Sequence, residues 1–372
     1  MICDCVTMTT RRNFLRLAGA TAAGGVITEH STDIARALEQ ASDGTKDVVW
    51  FQGQSCTGCT ISTLQAQYPT LEEALNAFRL QVTFHPTIMA EAGEPAIESM
   101  SKDPDILIVE GSIPTDIPEA AVIGNKTAEE WVNELAPKAD IVISVGNCAS
   151  FGGWPAAENK RRVHDLGKNV TGAKGLQFEK REKGGVLGED FTGGAGLPVV
   201  NISGCPPNPD YVLLTLATVL NGHIPELDEY HRPLPFYEPL IHDNCMHRGY
   251  FDRGEFADKP GGEGCLIKVG CKGPYTHCDD QQRLWNDGTS VCLNVSAPCI
   301  GCMEPAFWDR FSPFQQEMEG SAFLGNVDAT DVGGAAVVAG AAGIGAHLGR
   351  RAMGYGHFEP AEETERAEGK GD

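Results

Sequence analysis

The position of the cysteines relative to the apolar runs most constrains how this 372-residue chain can fold. Five short β-rich runs punctuate its first half, namely Val48–Gln52, Leu80–Phe84, Ile106–Glu110, Ile141–Val145 and Pro198–Ile202. Cys56 and Cys59 follow the first run, Cys148 follows the fourth and Cys205 follows the fifth. The carboxyl ends of parallel strands meet at one edge of a sheet, so these four thiols are expected to lie together.

The apolar runs and the segments between them predict the sheet itself. All runs except the second are nearly continuous apolar stretches, as expected of strands buried on both faces. Helical stretches at Thr70–Phe78 and Thr127–Leu135 lie between runs, the second with an acidic first turn behind a threonine cap. This alternation predicts an α/β fold with a doubly wound parallel sheet. Gly167–Gly196, rich in glycine and lysine, is predicted to be a surface excursion.

The second half of the chain has a different character. Prolines cluster after Leu220, and seven of the 13 cysteines fall between His242 and Cys302. Apolar periodicity is weak there, so we expect metal ligation to stabilise this region.

The N-terminal segment 1–45 is typical of an export signal. Thr10-Arg11-Arg12-Asn13-Phe14-Leu15-Arg16 places a twin arginine before a weakly apolar stretch, and Ala35-Arg36-Ala37 is a candidate cleavage site. Such signals export proteins that have already folded around cofactors, which predicts a location in the periplasm or on the extracytoplasmic face of the membrane. The alternative is an ordinary N-terminal helix with two surface arginines.

The C-terminal tail, 321–372, contains a candidate membrane anchor at 332–349. These 18 residues carry no formal charge and precede Arg350-Arg351, but six are Gly and six are Ala. A flexible linker is the alternative. The net charge of −22 makes nucleic acid a poor partner.

Three kinds of site could use the cysteines: disulfides, zinc sites and iron–sulfur clusters. CxxC occurs twice, at Cys56/Cys59 and Cys299/Cys302, and each pair would need partners from distant parts of the chain. Disulfides do not explain thiols gathered at strand ends, and clusters accept four thiolates at varied spacings, with an occasional histidine.

Several motifs together make the chain resemble the small, electron-transfer subunit of a nickel–iron hydrogenase. They are CTGC at 56–59, EGSIP at 110–114, GNCASFGG at 146–153, GCPPNPD at 204–210, HDNC at 242–245, GCKGP at 270–274 and PCIGCMEP at 298–305. The resemblance covers roughly residues 11–314. It implies a flavodoxin-like domain, 46–225, followed by an irregular cluster domain, 226–320.

The resemblance also implies three iron–sulfur clusters in a row. The proximal 4Fe-4S cluster would be bound by Cys56, Cys59, Cys148 and Cys205, and the distal 4Fe-4S cluster by His242, Cys245, Cys265 and Cys271. The medial cluster would use Cys278, Cys299 and Cys302. Many relatives have proline where this chain has Cys292, and their medial cluster is then 3Fe-4S. Here Cys292 predicts a 4Fe-4S medial cluster, with 3Fe-4S as the outcome if Cys292 is a buried free thiol.

Two glycines bear on the proximal cluster. Oxygen-tolerant members of the family carry extra cysteines at the positions of Gly58 and Gly153, so an ordinary 4Fe-4S proximal cluster is implied here.

The implied function is electron relay from the nickel–iron centre of a separate large subunit to an external acceptor. That acceptor would be a membrane cytochrome b and quinone, or a soluble cytochrome. Glu110 would accept hydrogen bonds near the proximal cluster or help protons leave, unless it is a solvated carboxylate. The alternatives are a subunit like the quinone-site cluster subunit of respiratory NADH:quinone oxidoreductase, and a metal-binding structural protein without a redox role.

Overall fold

The computed structural model describes residues 45–67, 69–157, 171–221, 223, 225–285, 288–308 and 314–316. The candidate export signal and the candidate anchor at 332–349 lie outside these ranges. Within them, no helix is both long and apolar enough to cross a bilayer.

A five-stranded sheet organises the first half of the chain. Its strands are β1 (Lys46–Gln52), β2 (Leu80–Phe84), β3 (Ile106–Glu110), β7 (Ile141–Val145) and β11 (Val200–Ile202). Their spatial order is β2-β1-β3-β7-β11, and every neighbouring pair is parallel. This is the flavodoxin-like order, which confirms the predicted doubly wound sheet. The strand order reverses at β1 and β3, so the loops after these two strands form a crevice at the carboxyl edge.

Short strands and helices complete the described part. The two-residue strands are β4 (Ile113–Pro114), β5 (Val122–Ile123), β6 (Lys126–Thr127), β8 (Ala173–Lys174), β9 (Phe178–Glu179) and β10 (Glu182–Lys183). The helices are α1 (Gly58–Thr63), α2 (Leu71–Ala77), α3 (Glu94–Ser99), α4 (Ala128–Leu135), α5 (Asn147–Phe151), α6 (Pro209–Leu220), α7 (Leu234–Tyr237), α8 (Arg248–Asp252) and α9 (Asp280–Arg283). Short 3-10 turns lie at Pro118–Ala120, Ala136–Lys138, Leu266–Val269, Gly273–Tyr275 and Cys292–Val295.

Local sequence explains the two predicted helices. Thr70 and Thr127 cap α2 and α4, and in both cases the glutamate three residues later closes a capping box. These threonine and glutamate side chains accept hydrogen bonds from backbone N–H groups that would otherwise lack partners.

The sheet is covered on both faces, which is why its central strands are apolar throughout. On one face, Trp131 and Leu135 of α4 pack against alternate strand residues such as Leu107. On the other face, α6 packs together with residues from the second half of the chain, including Phe236, Leu266, Leu293 and Met303. One apolar core therefore runs from the sheet into the cysteine-rich half.

The predicted surface excursion at 167–196 is wrong for part of its described length. Leu176 and Phe178 are fully buried, and strand β8 pairs with β4. Phe178 packs edge-on against Phe151, with ring centroids 5.7 Å apart. The glycines here allow close approach to neighbouring backbone, so their abundance indicated tight packing rather than exposure.

Candidate metal centres

The proximal set lies at the carboxyl edge of the sheet, where the strand order predicted it. Cys59 is in α1 after β1, Cys148 is in α5 after β7, and Cys205 follows β11. Burial raises the pKa of Cys59 well above its ordinary value, and the nearby Glu110, Cys148, Cys205 and Cys56 raise it further. Burial also raises the pKa of Cys148 to about 12. The four predicted thiols are therefore brought together around one point, with Cys56 exposed.

Two glycines leave room for the proximal sulfur atoms. A Cβ added at Gly146 would lie 2.3 Å from the Sγ of Cys59, and one at Gly153 would lie 2.7 Å from the Sγ of Cys148. Gly146 also has a φ of +92°, a conformation that favours glycine. In this chain, a Cβ at Gly146 would therefore overlap the Sγ of Cys59, and one at Gly153 would overlap the Sγ of Cys148.

Glu110 ends strand β3 directly behind the proximal set, and only 1% of its surface is exposed. Its carboxylate accepts from five donors: Trp50 Nε1 at 3.2 Å, Gln52 Nε2 at 3.1 Å, Ser55 Oγ at 2.9 Å, Cys59 N at 3.2 Å and Thr60 Oγ1 at 2.5 Å. The alternative of a solvated strand-end carboxylate is therefore wrong. Glu110 fixes the backbone of the CTGC loop by accepting from its peptide N–H.

The distal set lines a single cavity in the second half. Its walls include all four predicted ligands, His242, Cys245, Cys265 and Cys271, together with His247. Burial raises the pKa of Cys245 to about 11. Burial and Arg248 lower the pKa of His242, which keeps the imidazole neutral as a ligand requires. The Nε2 atom of His242 is buried and has no hydrogen-bond partner among the described residues.

The medial set combines buried thiols with an exposed one. Cys278 and Cys299 are buried, whereas Cys292 lies on an exposed 3-10 turn. Burial raises the pKa of Cys302, and Cys292 raises it further. Burial likewise raises the pKa of Cys299, with contributions from Cys271, Cys292 and Cys302. Cys292 therefore influences Cys299 and Cys302 electrostatically, and these two thiols in turn add to the burial that raises the pKa of Cys278.

Direct contacts join the sets in a fixed spatial order. The peptide N–H of Cys299 donates to the Sγ of Cys271 at 3.3 Å, which connects the medial and distal sets. On the other side, Asn147 Nδ2 donates to the carbonyl of Cys302 at 3.1 Å, and Ser203 Oγ donates to the carbonyl of Met303 at 2.7 Å. The medial set therefore lies between the distal set and the loops that carry the proximal thiols.

The donor atoms and their surroundings suit iron–sulfur clusters. All eleven cysteines of the described part are free thiols. Peptide N–H groups point at several sulfur atoms, including His247 N to Cys245 Sγ at 3.3 Å, Gly273 N to Cys271 Sγ at 3.4 Å and Gly301 N to Cys299 Sγ at 3.4 Å. Such bonds stabilise thiolates and tune cluster potentials. Among the described residues, no group of three or more His, Cys, Asp or Glu side chains is arranged to hold a single metal ion.

Several buried polar residues lie around the sets and were not predicted from the sequence. Arg232 is almost fully buried and donates to Asp228 Oδ2 at 2.7 Å and to the carbonyl of Met303 at 3.0 Å. Glu304 accepts from the peptide N–H of His277 at 2.8 Å. These residues hold the loops of Cys302 and Cys278, and nothing in the local sequence distinguishes them from surface charges.

Comparison with known proteins assigns the two halves of the chain. Residues 237–315 match the family model for the C-terminal part of the NiFe/NiFeSe hydrogenase small subunit. Residues 56–219 match the model described as NADH ubiquinone oxidoreductase, 20 Kd subunit. The first match spans the distal and medial sets, and the second spans the sheet with the proximal set.

Full-length relatives extend the match across both halves. The F420 non-reducing hydrogenase I small subunit of Methanosarcina mazei is 38% identical, over 93% of this chain and 94% of that protein. The periplasmic NiFeSe hydrogenase small subunit of Desulfomicrobium baculatum is 37% identical, over 82% of this chain and 98% of that protein. A solved structure of the NiFeSe hydrogenase from the latter organism aligns with a TM-score of 0.62 and 37% identity, covering 74% of this chain and all of that chain.

The fold and the thiol sets define an iron–sulfur subunit of an oxidoreductase. More narrowly, the chain belongs to the family of NiFe and NiFeSe hydrogenase small subunits. It is the electron-relay subunit of a hydrogenase, whose partner is the large subunit. The match to the NADH ubiquinone oxidoreductase subunit reflects the related family that shares the first half.

Proposed function

We propose that this subunit relays electrons through three iron–sulfur clusters held by the proximal, medial and distal sets. The order of the sets carries the proposal, because hydrogen bonds link Cys299 to Cys271 and link the Cys302 segment to the proximal loops. The proposed ligands are the twelve predicted residues Cys56, Cys59, Cys148, Cys205, His242, Cys245, Cys265, Cys271, Cys278, Cys292, Cys299 and Cys302.

The chain's own residues supply a dry environment and aimed donors at each set. A bound iron–sulfur cluster takes up and releases one electron at a time. Buried thiols such as Cys278 and Cys299 exclude water, and the N–H···S bonds hold each sulfur in place. Neutral His242 in place of a thiolate makes the distal site less negative, which suits the last site before the acceptor.

The medial set is proposed to hold a 4Fe-4S cluster, with Cys292 as its fourth ligand. Support comes from Cys292 itself, a free thiol seven residues before Cys299, whose charge, in addition to burial, raises the pKa values of Cys299 and Cys302. A set of three thiolates would favour the 3Fe-4S form.

The face around Cys56 is proposed to contact the large subunit. Cys56 is exposed, and Ile61 and Leu64 beside it are 49% and 45% exposed although both are large and apolar. Exposed apolar residues of this kind mark protein interfaces. The proximal set would then receive electrons directly across that interface.

Electrons are proposed to leave from the distal set to a membrane cytochrome b and quinone, or to a soluble cytochrome. We further propose export by the twin-arginine route, H₂ uptake outside the cytoplasmic membrane, and anchoring through 332–349. Periplasmic and uptake hydrogenase small subunits among the relatives support export and uptake. The domain division at 225/226 is proposed from the change in character between the two halves.

Copurification tests this proposal. The tagged chain, expressed with its large subunit, should yield a brown complex containing nickel, iron and acid-labile sulfide, and H₂ should drive dye reduction. A colourless preparation that contains zinc would refute the relay and favour a structural metal protein. A brown complex without nickel, active with quinone but not with H₂, would instead favour the respiratory-type subunit.

The medial assignment has its own test. The complex, mildly oxidised, should show no strong three-iron signal by electron paramagnetic resonance (EPR), whereas Cys292→Ser should produce one. A strong three-iron signal in the unmodified complex would contradict the assignment of Cys292 as a medial ligand.

A further inference from the structure

His247 lies where the distal and medial sets meet. Its imidazole Nε2 is 3.1 Å from the carbonyl oxygen of Leu293, and Leu293 directly follows Cys292 in the turn Cys292–Val295. The peptide N–H of His247 donates to the Sγ of Cys245 at 3.3 Å. One residue therefore contacts both a distal ligand and the turn that carries the fourth medial thiol.

The hydrogen bond to Leu293 places a proton on one ring nitrogen of His247. A carbonyl oxygen can only accept, so Nε2 carries the proton and donates it. Nδ1 is buried without a hydrogen-bond partner in the described part of the chain, and the side chain is only 8% exposed. The bond to Leu293 is therefore the polar contact that orients this ring.

Backbone hydrogen bonds close the turn itself: Ser296 N–H donates to the Leu293 carbonyl at 3.0 Å and Ala297 N–H donates to the Cys292 carbonyl at 3.0 Å. Among its four residues only Leu293 is buried, and Val295 is 67% exposed. Ser296, which ends the turn, has a φ of +53°, an uncommon value for a residue other than glycine. The His247 imidazole adds a side-chain donor that ties this turn to the distal loop, next to Cys245.

We propose that His247 is a positioning residue for the medial site: its Nε2–H holds the Leu293 carbonyl so that Cys292 completes the four-thiolate set. The inference rests on the proposed ligation by Cys292. Loss of this bond would let the turn shift as a unit away from the medial set and leave Cys278, Cys299 and Cys302, a set that favours a three-iron cluster. His247 thereby couples the distal loop to the composition of the medial cluster.

Three variants of the complete complex test this role. His247→Leu removes the donor. His247→Asn keeps a polar side chain that is too short to reach Leu293. His247→Gln places an N–H near the position of Nε2. Each is compared with the unmodified complex and with Cys292→Ser, by iron content and by EPR after mild oxidation. His223→Leu, at an exposed histidine remote from the cysteines in sequence, is the matched control.

The expected result is a three-iron signal like that of Cys292→Ser in His247→Leu and His247→Asn, with less iron per complex. His247→Gln and His223→Leu should match the unmodified complex. If Cys292→Ser yields the three-iron signal but His247→Leu and His247→Asn do not, His247 has no positioning role and Cys292 remains a ligand. If the unmodified complex already shows that signal, the ligation by Cys292 fails, and the role of His247 fails with it. Should His247→Leu not assemble, His247→Asn alone decides.

Discussion

At the scale of single residues, the candidate ligand thiols can be recognised in the sequence, whereas the residues that position them cannot. Strand ends predicted from the sequence alone that the proximal thiols lie together, whereas the distal and medial sets were implied by the resemblance to hydrogenase small subunits. Glu110 was recognised only as a candidate, because a glutamate at the end of a strand is usually solvated. Arg232 and Glu304 were missed, because their burial depends on contacts between segments some 70 residues apart.

Replacement of Glu110 by glutamine tests its role behind the proximal loop. Glutamine turns one acceptor oxygen into an N–H₂ donor that faces the existing donors, which leaves buried polar groups without partners. We expect a loss of roughly 2 kcal/mol or more in the free energy of unfolding. Urea denaturation of the purified complex measures this change. Glu119→Gln, at an exposed position, should leave the midpoint unchanged. An unaltered midpoint for Glu110→Gln would show that the network does not stabilise the fold.

At the scale of secondary structure, the prediction succeeded where periodicity is strong. The bounds of β2, β3 and β7 match the predicted runs, helices α2 and α4 form within the predicted helical stretches, and the predicted Thr127 cap begins α4. The prediction of a surface excursion failed in a segment whose buried residues follow no helical or strand periodicity. The glycine-rich stretch before β11 contributes Leu176 and Phe178 to the interior through short pairings that leave little trace in the sequence.

Helix α1 offers a test of the proposed interface. Ile61→Glu places a charge on an apolar residue beside Cys56 and Cys59, so burial against the large subunit would become costly. We expect copurification of the large subunit to fall at least tenfold, while the isolated chain stays soluble. Val122→Glu changes a residue that is 51% exposed on the β5–β6 hairpin and should not reduce copurification. Equal recovery of the large subunit with Ile61→Glu would place the interface elsewhere.

At the scale of the whole molecule, the second half depends on the sheet for its core. Leu266, Leu293 and Met303 share one apolar cluster with strand residues such as Ile108 and Ile143. This shared core was not foreseen, because the weak periodicity of the second half indicated only a need for metal ligation. It also explains how the three sets keep a fixed order without regular secondary structure around them.

The net charge of −22 predicts that salt stabilises the complex. Raising NaCl from about 0.1 M to about 1 M shortens the Debye length from about 10 Å to about 3 Å, which screens repulsion among carboxylates. The melting temperature should therefore rise with salt. A triple variant with Gln at the exposed Glu91, Glu98 and Glu119 should respond less. A melting temperature that falls with salt would contradict this electrostatic account.

The central claim is that the chain holds three separate iron–sulfur clusters, each with four protein ligands. Mössbauer spectroscopy of the iron-57-labelled complex, purified with its large subunit and oxidised, tests it most directly. The account predicts that nearly all cluster iron appears as oxidised 4Fe-4S, in an amount equal to three clusters per complex. A substantial three-iron component, or iron for fewer than three clusters in a fully assembled and active complex, would contradict it.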